Sequence, residues 1–224
     1  MDFWHIKSSY IIPSKKAKMN INPHLQAVLE APYYEGEPLY PWAIADYKSF
    51  SFIRLFGKMT DREVGLVFAQ LVDYNHISSE GDTNTVLHRV IQAPSLVLPG
   101  GIQARTATDK VISPSCCCGL EGWRDWLRFM KKGQSPWLGH DPNPWVEKVG
   151  GLVRVWSDEG HRAFHIDFEK SKFEAELIKV QQDLNAFLGR SEEWAGRMGC
   201  LEPSKLSGKF DECFNISRWA RYSR

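Results

Sequence analysis

Trp145-Val146-Glu147-Lys148-Val149-Gly150-Gly151-Leu152-Val153-Arg154-Val155-Trp156 decides the fold class. Two short runs rich in valine and tryptophan flank a glycine pair, and such a pair supplies the positive φ that a tight hairpin turn needs. Ala163-Phe164-His165-Ile166-Asp167-Phe168 then alternates with period two, so a third strand follows and the three predict a meander. Immediately after it, residues 169–188 are rich in Glu, Lys, Gln, Ala and Leu, with Phe173, Leu177, Val180, Leu184, Phe187 and Leu188 along one side. That spacing predicts a long helix covering one face of the sheet.

Upstream of the hairpin, Leu120, Trp123, Trp126, Leu127 and Met130 form one stripe of a segment that Gly133 terminates, an amphipathic helix over 120–132. Ser95-Leu96-Val97-Leu98, Pro99-Gly100-Gly101 and Ile102-Gln103-Ala104-Arg105 read as strand, turn and strand. Residues 84–92 read as a short helix that stops before Pro94. Thr60-Asp61-Arg62-Glu63 is a capping box that opens a helix from Asp61 to about Tyr74, its apolar face being Val64, Val67, Phe68, Leu71 and Val72. The close apolar spacing of 46–56 leans to helix. Asn22-Pro23 resembles a helix opening, with His24 to Glu30 continuing it and Pro32 ending it. Phe3 to Ile12 reads as a strand stopped by Pro13, followed by the basic link Lys15-Lys16-Ala17-Lys18, and Met19 is an alternative start. Ser191-Glu192-Glu193-Trp194 reads as the cap of a further short helix.

The expected fold is therefore α+β: a small, mostly antiparallel sheet from residues near 95–110 and 144–168, packed by the amphipathic helix and the long C-terminal helix, with an N-terminal helical portion. The expected division is an N-terminal strand and basic link over 1–18, one domain over 19–200, and a basic, aromatic tail over 201–224. The order of hairpin, strands and closing helix is similar to that of the SUKH superfamily of bacterial toxin-immunity proteins. The resemblance covers element order and implies no site residues.

Composition narrows the function. With 28 Lys plus Arg against 27 Asp plus Glu, the chain lacks the broad positive field that nucleic-acid binding uses. Its apolar runs fall far short of the roughly 20 residues that cross a bilayer. The first residues, Met1-Asp2-Phe3-Trp4-His5, lack the pattern of a secretory signal, and five cysteines is an odd number. A cytoplasmic protein with free thiols, binding neither nucleic acid nor membrane, is expected.

Chemistry concentrates in 113–160, which holds Cys116, Cys117 and Cys118, five of the nine tryptophans, and the loop Pro136-Trp137-Leu138-Gly139-His140-Asp141-Pro142-Asn143-Pro144-Trp145. Thiolate, imidazole and carboxylate are all zinc ligands, so the cysteines with His140, Asp141, His161 and His165 form one candidate set. Adjacent cysteines on an extended chain point to opposite faces, however, so one ion reaches at most two of them, and no metal or cofactor is expected. The cysteines also run into the start of the 120–132 helix, where backbone amides lower a thiol's pKa, which gives a hydrolase reading on Cys118, His140 and Asp141. The leading expectation is instead a non-enzymatic protein-binding protein, an immunity or antitoxin-like partner of another protein such as a toxin. Its contact residues would be Trp137, His140, Asp141 and Trp145 with Tyr34, Tyr40 and Trp42 of the aromatic loop 33–42. Trp123 and Trp126 are expected in the core.

Overall fold

The computed structural model describes residues 22–33 and 40–217. The expected strand over Phe3–Ile12, the basic link, Tyr34 and the end of the tail lie outside the described residues. Within them the fold is α+β, with five α-helices and two small antiparallel sheets where one sheet was expected.

The first sheet has the order β2-β1-β3-β4, with β1 at His24–Glu30, β2 at Phe52–Arg54, β3 at Gly100–Arg105 and β4 at Val111–Ile112. Its central strand is the segment expected to be a helix. Leu25 to Leu29 are buried on both faces, and such an element carries no period by which a strand is told from a helix. Pairing along both edges decides the matter, because it satisfies the backbone donors and acceptors that burial removes from water. Gln26, the polar residue inside this run, lies opposite Gln103 and donates to it at 2.7 Å, and Gln103 donates in turn to Ser113 at 2.8 Å. The expected helix over 46–56 is likewise a loop ending in β2.

The expected hairpin over 95–105 does not form. Val97 finds its backbone partners in the Asn75 side chain, which accepts its N–H at 2.9 Å and donates to its carbonyl at 2.8 Å. Gly100 and Gly101 lie inside β3 with positive φ, and a Cβ on Gly100 would stand 2.3 Å from the Val28 carbonyl oxygen. The glycines serve close approach of two strands, not a turn.

The second sheet is the expected meander: β5 (Trp145–Val149), β6 (Leu152–Trp156) and β7 (His165–Glu169), with Gly150-Gly151 at the first turn. α1 (Asp61–Tyr74) begins at the expected capping box, Thr60 and Glu63 each accepting the other's backbone N–H. α2 (Thr83–Gln92) is capped by Asp82. The amphipathic 120–132 segment is a 3-10 turn at Leu120–Arg124 followed by α3 (Asp125–Lys132), which ends at Gly133 in the left-handed region. Trp123 and Trp126 are buried, as the stripe predicts.

α4 (Lys170–Arg197) is longer than its apolar stripe suggested. Ser191 caps no new helix but donates to the Leu188 carbonyl within this one. At about 1.5 Å per residue it spans about 42 Å and ties the two sheets to one core. Near its start Phe173 meets Phe168 and Trp126, and near its end Trp194 stacks on Phe68 at 4.9 Å and meets Trp42 edge-on at 5.5 Å. Residues 203–214, read from composition as the beginning of a tail, form α5 (Pro203–Phe214), whose Leu206, Phe210 and Phe214 are buried. No described helix is long and apolar enough to cross a membrane.

Candidate functional site

Beyond β4 the chain runs beside the Pro136–Asp141 loop, and backbone bonds zip the two together. The Ser115 N–H donates to the Leu138 carbonyl at 2.7 Å, the Ser115 hydroxyl to the His140 carbonyl at 2.7 Å, and the His140 N–H to the Cys116 carbonyl at 3.2 Å. Gly139 permits this approach: its φ is +99°, and a Cβ there would lie 2.5 Å from the Ser115 main chain and 2.6 Å from the Cys116 carbonyl oxygen. The Cys118 N–H turns back to the Ser115 carbonyl at 3.1 Å, and inside that turn Cys117 holds φ at +65°. A residue with a Cβ is uncommon there, because the left-handed conformation crowds its side chain against the backbone.

That one dihedral rearranges the chemistry. On an extended chain the Cys116 and Cys117 thiols would diverge. Here both are exposed with their Sγ atoms 3.5 Å apart, while Cys118 is buried. One nitrogen of the exposed His140 ring and the two sulfurs all lie within 4.8 Å of one another. Asp141 stands outside the group, fully open to solvent, with Oδ2 3.4 Å from His140 Nδ1. His161 and His165 do not join it; the His165 ring packs against Trp156 at 4.7 Å. All five cysteines are free.

Cys118, the nucleophile of the hydrolase reading, is buried. The residue is 5% exposed, its Sγ lies 3.6 Å from the Trp137 carbonyl oxygen, and burial pushes the thiol up to about 12. The expected helix N-terminus is a 3-10 turn capped by Gly119, so no α-helical amide cluster faces the thiols. The Cys116 thiol is also raised, chiefly by its hydrogen bond with Cys117.

The expected contact residues divide. Trp137 is 56% exposed, and its Nε1 donates to the Cys117 carbonyl at 3.4 Å. Its ring lies 6.2 Å from that of His140. It walls a groove of about 560 Å³ with Arg128, Lys132, Asn143 and the half-buried Trp145. Trp42 is corrected from contact residue to core: it is buried and its Nε1 donates to the Gly65 carbonyl at 2.9 Å. Tyr40 stacks on Trp42 at 5.7 Å, so the described end of the aromatic loop leans on the core instead of forming a separate contact face.

Two features escaped the sequence reading. Cys116 and Cys117 line a second groove of about 440 Å³ with Glu30, Tyr33, Tyr74 and Glu121. There Tyr33 donates to Glu30, and burial together with that carboxylate pushes the phenol up. On the open face of the second sheet, Trp145 stacks on Trp156 at 5.7 Å, and Arg154 grips Asp167 through two bonds of 2.7 and 2.9 Å. The period of two in the three strands was the signal for this array, since it places 145, 154, 156, 165 and 167 on one side. No protein-family model, no curated protein and no solved structure matches this chain, so the likeness to the SUKH superfamily stands on element order alone.

Proposed function

We propose that this chain is a protein-binding protein that acts by contact and not by turnover, its contact face centred on Trp137, His140 and Asp141 with Trp145 at the edge. Trp137 carries the reading. Its indole is more than half exposed, yet it is held between buried Pro136 and buried Leu138 and tied through Nε1 to the Cys117 carbonyl. A large amphipathic ring already ordered before contact loses little entropy when a partner covers it, which is why such residues dominate binding energy. The groove beside it offers apolar walls and a rim bearing Arg128 and Lys132. The narrower form of the proposal, direct neutralisation of a toxin by an immunity-type protein, is supported by element order only.

The test compares capture of a partner from lysate by the parent chain, by Trp137→Ala and by a control on an exposed apolar residue elsewhere, Leu201→Ala. Supporting behaviour is one stoichiometric partner protein whose affinity falls about 30-fold or more in Trp137→Ala and is unchanged in the control. No stoichiometric partner, or equal loss in both variants, overturns the reading.

A further inference from the structure

We propose that Cys116, Cys117 and His140 form a chelating site for a thiophilic d10 cation, Zn²⁺ being the one their chemistry fits best. The site stands on its own geometry and holds whether or not the neighbouring aromatic face meets a protein.

Three observations converge on it. The donor set is two thiols and an imidazole, soft and borderline ligands that favour zinc over calcium or magnesium. The spacing is close to what one ion demands: two thiolates at about 2.3 Å from a tetrahedral centre sit about 3.8 Å apart, and the sulfurs are 3.5 Å apart, so only a slight opening is needed. Finally, the convergence is built by the backbone. The left-handed Cys117 turns its thiol to the side of Cys116, and the Cys116–His140 bridge sets the imidazole beside them through the tight approach at Gly139. Adjacency of the cysteines, an argument against shared coordination on an extended chain, becomes favourable once the turn is left-handed.

Three protein ligands leave a fourth tetrahedral position, as in zinc sites that bind water or a ligand from outside. Asp141 Oδ2 near His140 Nδ1 is the kind of carboxylate that orients a ligating imidazole, a positioning role. The thiols border the groove with Glu30 and Tyr33, so a group bound at the fourth position has a place to lie. Coordination is balanced by proton loss: a sulfur that binds the ion as thiolate gives up its thiol proton to solvent.

The experiment is an anaerobic titration of the reduced full chain with Co²⁺ as a spectroscopic stand-in, followed by Zn²⁺ in competition with a chromophoric chelator and by measurement of protons released. The expected result is one ion per chain, a thiolate-to-cobalt charge-transfer band, about two protons released per ion, and Zn²⁺ displacing Co²⁺. Affinity falls about 100-fold in Cys116→Ser and in Cys117→Ser, strongly in His140→Ala, and about 10-fold in Asp141→Asn. It is unchanged in Cys213→Ser, and the variants at the exposed Cys116, Cys117, His140 and Asp141 unfold at the parent's midpoint. Absence of a thiolate band, binding that survives Cys116→Ser or Cys117→Ser, or isolation of the chain with Cys116 and Cys117 joined as a disulfide would overturn the proposal.

Discussion

The core around α4 and the surface limb formed by 113–119 and 134–145 are both well ordered, but by different forces. Around α4, order comes from apolar burial: Trp194, Phe68, Phe187 and Phe210 are closed off from water and pack ring against ring, and each side chain is fixed by its neighbours. In the limb, order comes from main-chain bonds between 115–116 and 138–140, with Gly139 allowing the approach, while Cys116, Cys117, Trp137 and His140 project from it. A scaffold held by its backbone leaves its side chains free for chemistry, whereas a scaffold held by its side chains does not.

The largest expected contrast is in stability. Trp194→Ala removes a fully buried ring between Phe68 and Trp42 and should cost about 3–5 kcal/mol in equilibrium urea unfolding. Trp137→Ala should stay within about 0.5 kcal/mol of the parent, as exposed positions do. Equal losses at the two tryptophans would erase the distinction. Gly139→Ala should fall between them, at roughly 2–3 kcal/mol, because it combines an unfavourable φ with overlap against the Ser115 and Cys116 backbone. Its specific mark is faster amide exchange at Ser115 and His140, whose N–H groups make the zipper; fast exchange spread evenly over α4 instead would mean that the limb and the core unfold as one unit.

The same contrast divides three neighbouring thiols. Native-state alkylation should label Cys116 and Cys117 and leave Cys118 untouched until denaturant is added, as read by mass spectrometry. Cys118 owes its protection to burial against the Trp137 carbonyl, which both blocks access and raises the thiol. Labelling of Cys118 at the rate of its neighbours would show that the limb opens freely.

Legibility in the sequence follows the same line. α1 could be read because Thr60 and Glu63 advertise its start, and the 145–156 hairpin because strands with one open face keep their period. β1 could not, since a strand buried on both faces has no period, and Asn22-Pro23 serves an incoming extended chain as well as a helix. The 95–98 segment misled because its partner is the side chain of Asn75, 22 residues back, and not a strand. At the site, the exposed indole and the His140-Asp141 pair were visible as residue types in a proline-braced loop. The convergence of Cys116 with Cys117 was not, because it depends on one left-handed cysteine that no glycine or asparagine marks.

Smaller still is the electrostatic difference, and its sign can be worked out. Asp61 at the start of α1 accepts from Arg197 and Arg190, each at 2.6 Å, and those hydrogen bonds, Arg197 first, hold its carboxyl below the usual range. Asp167 in β7 is held low in the same way by Arg154. A carboxyl whose pKa is lower folded than unfolded contributes stability that is fully present above the unfolded value, about 4, and is lost as pH falls through the folded value. Asp61 is partly exposed, so solvent screening limits its share to at most about 1 kcal/mol. Asp61→Asn should therefore lower the unfolding midpoint slightly at neutral pH and flatten the acid limb of a stability–pH profile, with the two proteins converging at the lowest pH. Because Asp61 joins α1 to α4 and Asp167 joins only β7 to β6, the loss in Asp61→Asn should appear as slightly faster amide exchange in α4, and that in Asp167→Asn as faster exchange confined to the second sheet. Identical exchange patterns would mean that neither pair acts locally, and that the two sheets share a single cooperative unit through α4.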